Sequence, residues 1–171
     1  MSSHIKRYYW DTCAWLGMIN EEPDKQSVLK HLWGVAQRGQ CEIWTSTYTY
    51  IELIYKHPPH GEPYNAAADD PIIFAALEQP FVKRVQLDVE VAKLARQLRR
   101  ELKDVLKKRA DAIHLATALH YDVDQLHTWD GSDLLPLHNK RQCRNGVVLP
   151  IVKPGPGDDM PLMKAAEGKD K

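Results

Sequence analysis

Three features of this chain predict an α/β fold, a parallel sheet joined by crossover helices. Segments patterned as strands and as helices alternate along it. Four carboxylates, Asp11, Glu52, Asp111 and Asp130, sit in otherwise apolar surroundings at the junctions between those segments. The 171 residues also suffice for one domain with a core of its own.

Taken in order, Tyr8, Tyr9 and Trp10 read as a short aromatic strand, and the apolar stretch from Ala14 to Ile19 as a short helix. In DKQSVLKHLWGVAQRG, Val28, Leu29, Leu32, Trp33 and Val35/Ala36 recur at helical spacing, and Gly39 stands where that helix should stop. CEIWTST reads as a strand and YTYIELIYK as a helix. Residues 57–70, rich in Pro, Gly and Ala, read as a loop. PIIFAALEQ reads as a helix with Pro71 in its first turn, where the missing amide costs nothing. FVKRVQLD is the next strand. The strongest helical pattern is VEVAKLARQLRRELKDVLKKR, with Val91, Leu94, Leu98, Leu102 and Val105 along one face. DAIHLATALHYD is a further helix, opened by Asp111 and small and apolar enough to pack on a sheet. QLHTWD and GVVLPIV supply the last two strands. From Lys153 on, Pro, Gly and charge prevail. The expected organisation is one domain over 1–152 and a mobile tail over 153–171.

Composition narrows the function. Hydrophobic residues make up 43% and charged residues 27%, as in ordinary globular proteins. Lys+Arg and Asp+Glu balance at 23 each, so a polyanionic partner has to be held by a local patch. No stretch approaches the roughly 18 uncharged apolar residues of a membrane helix, and the N-terminus lacks the apolar core of a signal peptide. Cys13, Cys41 and Cys143 are odd in number and widely spaced, which suits neither a disulfide framework nor a zinc site. A cytoplasmic, reduced protein is expected.

Each acid has a plain structural explanation when taken alone. Asp11 suits a helix cap. Thr49 and Glu52 have the spacing of a capping box. Asp111 in a first helical turn is favoured by the helix dipole, and Asp130-Gly131 is a common turn pair. Their joint occurrence argues for more. In an open parallel sheet the carboxyl ends of the strands share one edge, where ligands bind at the switch in strand order. Acids converging there repel one another unless a cation neutralises them. Hard ions such as Mg2+ or Mn2+ suit carboxylate oxygens.

Four pieces together resemble the PIN-domain nucleases, including the toxins of VapC-type toxin–antitoxin pairs: YYWDTCAWL, TSTYTYIELI, RADAIHLATALHYDVDQL and HTWDGSDLL. The similarity runs over residues 5–152, and D-A-I-H-L-A-T-A is its most specific part. It implies a three-layer α/β domain, a PIN-like parallel sheet flanked by helices. By position it makes Asp11, Glu52, Asp111 and Asp130 the catalytic, metal-binding acids, with Asp133 an outer member. Thr12 and Ser46 match polar positions beside the site, and Cys13 stands where a small polar residue is frequent. The resemblance further implies Mg2+ or Mn2+, an RNA substrate, an antitoxin partner and a homodimer.

The chemistry so implied is hydrolysis of RNA phosphodiester bonds with water as nucleophile, leaving 5′-phosphate and 3′-hydroxyl ends. Arg100, Lys107, Lys108 and Arg109 belong to a basic run just before Asp111 and are candidates for holding the RNA backbone. A solvated helix face, with Glu90, Glu101 and Asp104 interspersed, is the plainer explanation of such a run. His114, one turn after Asp111, reads as a packing residue that can touch the site. Two other classes compete. A phosphatase of the haloacid-dehalogenase type needs an acid where Cys13 stands, and a receiver domain needs a lysine that only Lys153 offers. A PIN-like module that binds RNA or protein without cutting is the alternative that keeps the fold.

Overall fold

The computed structural model describes residues 4–53 and 64–155. The part of the expected helix beyond Leu53, the loop histidines His57 and His60, and the tail from 156 on lie outside the described residues.

Five parallel strands form one sheet in the order β3-β2-β1-β4-β5. They are β1 (Lys6–Trp10), β2 (Cys41–Ser46), β3 (Val82–Val85), β4 (Gln125–His127) and β5 (Ile151–Val152). Chain order therefore runs outward from β1 to β3 on one side and then crosses to β4 and β5 on the other. The switch lies between β1 and β4, which pair from Tyr8 with Gln125 to Trp10 with His127. Six helices complete the described fold: α1 (Thr12–Ile19), α2 (Gln26–Gln37), α3 (Thr49–Glu52), α4 (Ala66–Leu77), α5 (Val89–Glu101) and α6 (Arg109–His120).

The period of two along β1 divides the core. Tyr9 joins Val91, Ala95 and Leu98 of α5 and Leu115 and Leu119 of α6 on one face. Tyr8 and Trp10 point to the other, among Trp15 of α1, Leu29 and Leu32 of α2 and Ile73 and Leu77 of α4. The expected three layers result. Gly39 ends α2 as anticipated: at φ 71° its amide bonds the Ala36 carbonyl, while the Gln40 amide bonds that of Val35. This closes the helix in a conformation that only glycine adopts without cost.

Several boundaries differ from expectation, each for a local reason. Residues 66–70 are helical rather than loop. Asn65 accepts the Ala67 amide and Asp69 accepts the Asn65 amide, so the alanine run starts a helix well before Pro71. Pro71 consequently lies inside α4 and not in its first turn. Helix α5 stops at Glu101, because Leu106 turns inward to a fully buried position and Asp133 captures the amides of Lys107 and Lys108. Lys103, Lys107 and Lys108 thus lie off that helix. The GVVLPIV strand shrinks to Ile151–Val152, since a turn between Cys143 and Val147 leaves Val147 and Val148 exposed. The capping box at Thr49 is absent: Tyr48 is the cap residue, Thr49 bonds Thr45, and Glu52 turns to other partners.

Candidate metal centre

Asp11 leaves the end of β1 and does two jobs. Oδ1 accepts the Ala14 amide at 3.0 Å, the helix cap that the sequence suggests. Oδ2 accepts the Thr128 hydroxyl at 2.5 Å, and that hydroxyl oxygen in turn accepts the Asp130 amide at 2.9 Å. One threonine beyond β4 therefore ties the acids on either side of the sheet's switch point. Asp11 is 1% exposed. Burial raises its pKa, opposed by the positive charge of His114 and by the Thr128 and Ala14 hydrogen bonds.

Asp111, in the first turn of α6, is the least satisfied acid. Its Oδ2 is buried and accepts no hydrogen bond. Burial, followed by the neighbouring Asp130 charge, pushes its pKa up to about 7. Asp130 lies three residues past β4 and is the opposite case. Burial disfavours its charge, but Lys108, the Asp133 amide and Ser132 more than compensate and hold it well below the usual carboxylate range. Its Oδ1 takes the Ser132 amide, the Ser132 hydroxyl and the Asp133 amide, all at 2.8 Å. Asp133, 2% exposed, accepts the amides of Lys107 and Lys108 at 2.8 and 2.9 Å, which bind the α5–α6 connection to the turn after β4.

An oxygen from each of Asp111, Asp130 and Asp133 lies within 4.8 Å of the others. The Lys108 ammonium stands beside this group, 2.6 Å from Asp130 Oδ2 and 3.6 Å from Asp111 Oδ2. A positive charge is already drawn to this spot. The all-oxygen donor set, with one buried oxygen that accepts no hydrogen bond, fits a hard divalent ion. Cys13 is an unsuitable ligand for it, because burial and the charges of Asp11 and Asp130 push its thiol up to about 12.

Asp11 and Glu52 are not members of this group of three, and Glu52, the acid of α3, has partners of its own. Its Oε2 accepts the Thr12 hydroxyl and the His114 Nε2 proton, both at 2.5 Å. The His114 ring is fully buried, and its Nδ1 lies 2.8 Å from the Tyr9 hydroxyl. Desolvation works against a charge on His114, but Glu52 outweighs it and the pKa rises. Burial likewise works against Glu52, and His114 and Thr12 bring its pKa down. The two form an internal ion pair against the acid cluster.

The remaining candidates separate. Thr12 sits at the centre, bonded to Glu52 and 3.1 Å from His114. Ser46 is buried at the end of β2, where its amide donates to Tyr9 and its hydroxyl accepts the Tyr48 amide. Lys108 is engaged with the acids. Lys107, Arg100 and Arg109 are exposed. Tyr50 packs on Phe74, and Tyr48 lies edge-on to His114. Sequence reasoning gave too little weight to His114 and missed Thr128 and Ser132. His114 stands three residues after Asp111 and so shares its helix face, and D-G-S is a recognisable Asx turn; only Thr128 lacked a local signal.

The model of the PIN domain family matches residues 8–132. Among solved structures, the chain is similar to VapBC2 from Rickettsia felis bound to a DNA fragment from its promoter. Identity there is 18%, the TM-score is 0.59, and the similarity covers 85% of this chain and 98% of the other. VapC20 of Mycobacterium tuberculosis, a toxin that cleaves the sarcin-ricin loop, is 16% identical at a TM-score of 0.55, over 72% and 90% of the two chains. A toxin–antitoxin complex from Klebsiella pneumoniae is 18% identical at 0.54, over 86% and 98%. No curated protein sequence matches.

Proposed function

The chain belongs to the PIN domain family, and from that premise we propose that it is a divalent-metal-dependent endoribonuclease acting as the toxin of a toxin–antitoxin pair. One observation carries the proposal: Asp111 Oδ2, buried without a hydrogen bond, faces Asp130 across a space to which the Lys108 ammonium is drawn. A protein that merely packed these acids would have no reason to leave that oxygen without a hydrogen bond.

In this proposal Asp111 and Asp130, with Asp133 beside them, are the centre of the site, and Asp11 and Glu52 are the further catalytic acids that would hold Mg2+ or Mn2+ with them. When bound, such an ion supplies Lewis acidity toward the scissile phosphate and water activated at neutral pH. The chain's own residues prepare for it. Asp111 would hold a cation as its carboxylate, through the oxygen that accepts no hydrogen bond. Lys108, with a side chain 57% exposed, can swing from Asp130 toward a phosphate oxygen. Thr128 and the Ser132 turn hold Asp11 and Asp130 at fixed separation, and His114 with Thr12 immobilises Glu52 through one oxygen. Residues 1–152 are the proposed working domain. The similarity to VapBC assemblies supports an antitoxin partner, and a homodimer is part of the proposal.

The test is cleavage of end-labelled RNA with Mn2+ or Mg2+, with Asp111→Asn prepared identically. Metal-dependent cutting that the variant loses, with 5′-phosphate products, is expected. Equal cutting by both, or 2′,3′-cyclic phosphate ends, overturns it. The Lys108–Asp130 ion pair favours one second reading, a self-neutralised module that binds RNA or protein without cutting. Absence of cleavage across many RNAs, with no binding of Mn2+, would select that reading.

A further inference from the structure

The four arginines Arg96, Arg99, Arg100 and Arg109 line one groove between α5 and α6, with Ala95 and Ile113 as its floor. Positions 96, 99 and 100 share a side of α5 at the i, i+3 and i+4 spacing, and Arg109 and Ile113 face them one turn apart on α6. No acidic residue lines the groove. Among the described residues none of these four guanidiniums has an ion pair or side-chain hydrogen bond. Of the other arginines, Arg7 lies on Trp44, Arg38 bonds Gln40, Arg84 bonds the Leu77 carbonyl and Arg141 pairs with Glu101, while Arg144 stands apart from the groove beside Leu119 and His120. In a chain of balanced charge, this is a local concentration of unneutralised positive charge.

We propose that this groove is an exosite for the phosphate backbone of RNA, which holds the substrate beside the acid centre rather than at the cleaved bond. The inference rests on RNA being the substrate. Arg96 to Arg100 spans about 6 Å of helix, enough to meet successive phosphates at roughly 3.4 Å of rise per nucleotide in a stacked strand. Arg109 and Asp111 belong to the same first turn of α6 but, two residues apart, point to different sides of it, so the groove ends beside the turn that carries Asp111 and not in the acid centre itself. Other occupants fit worse. A second copy placed by a two-fold axis would set the arginines against themselves. A protein segment needs apolar anchors. The exposed apolar side chains Leu87 and Val89 at the start of α5 do not line this groove, and Ile72 and Phe74 belong to α4, across the sheet from it.

The experiment uses the full chain carrying Asp111→Asn, so that RNA is bound without being cut, and a fluorescein-labelled 20-nucleotide RNA in EDTA. Anisotropy titrations run from 50 to 200 mM KCl, with and without Arg96→Gln, Arg99→Gln and Arg100→Gln together. The triple variant should weaken binding about tenfold or more at low salt. It should also reduce the slope of log K against log salt by about 2, since each lost single-strand phosphate contact removes roughly 0.7. The corresponding triple Arg→Lys variant should keep most of the slope, which separates charge from folding. Unchanged affinity and slope overturn the exosite. So does a poly-glutamate peptide that binds more tightly than RNA and depends on the same arginines, which would assign the groove to an acidic protein. Cleavage of the same RNA by the parent chain with Mn2+ is read in parallel. Arginine-dependent binding without cleavage retains the exosite and removes the nuclease; cleavage with arginine-independent binding does the reverse.

Discussion

Asp111 carries a conflict between stability and chemistry that can be measured. Burial and Asp130 raise its pKa from the ordinary 3.8 to about 7. Between those values the folded chain keeps a proton that the unfolded chain has lost. Metal-free stability therefore falls as pH rises through that window, by on the order of 2–4 kcal/mol for this one group. Asp111→Asn removes the conflict. In EDTA the variant should be more stable than the parent by about that amount at pH 8 and no more stable at pH 4, while losing RNA cleavage. Urea unfolding at the two pH values checks it, and a loss of stability at pH 8 would show that the Lys108 charge outweighs burial and the Asp130 repulsion at Asp111. His114 illustrates the same scale from the other side. Its ring belongs to the core by burial and to the site by its bond to Glu52, so the choice between packing and site does not arise for it.

At the scale of the element, α6 is the piece on which the site depends. Its first turn carries Asp111, its second carries His114, and Leu115 and Leu119 seat it on the sheet beside Tyr9. A buried leucine of this kind contributes about 3 kcal/mol against truncation. Leu115→Ala should lower stability by roughly that much, seen as a shift of the urea midpoint with little change in slope. It should also weaken Mn2+ binding, because the helix it loosens holds Asp111 against the turn after β4. A variant that loses stability and keeps full Mn2+ affinity would show that Asp133 alone holds the two in place.

At the scale of the whole molecule, two linked equilibria act in opposite directions with pH. His127 on β4 is fully buried against Tyr8, and desolvation depresses its pKa from 6.5 to about 3. Unfolding then takes up a proton, so its contribution is complete above pH 6.5 and is lost as pH falls toward 3. The loss is about 2 kcal/mol at pH 5. His127→Gln should flatten this acid limb, which thermal unfolding between pH 4 and 7 resolves from the Asp111 effect of opposite sign. A divalent ion that binds only the folded chain should raise stability by about 2.7 kcal/mol at a hundred times its dissociation constant. Scans at pH 8 with rising Mn2+ should show that increase in the parent and little of it in Asp111→Asn.

What the sequence by itself determined was whatever depends on neighbours within a turn or two. The alternating segments, the apolar face of α5, the Gly39 stop and the position of Asp11 at a strand–helix junction were all legible, whereas the trio Asp111, Asp130 and Asp133 shares only two members with the four acids that the sequence singles out. The extra turn of α4 before Pro71 and the early end of α5 were not. The first was hidden because loop composition and an alanine-rich helix start look alike. The second was hidden because Asp133, 25 positions beyond Lys108, takes the amides that would have continued the chain. Only the tertiary structure decided how the acids divide their work. Glu52 and His114 are 62 positions apart and Asp11 and Thr128 are 117 apart, so their bonds follow from strand order and not from any local pattern. That order left Asp130 satisfied, Glu52 paired and Asp111 with a bare buried oxygen, because hydrogen-bond partners at the end of a parallel sheet are supplied by whichever strands happen to lie side by side.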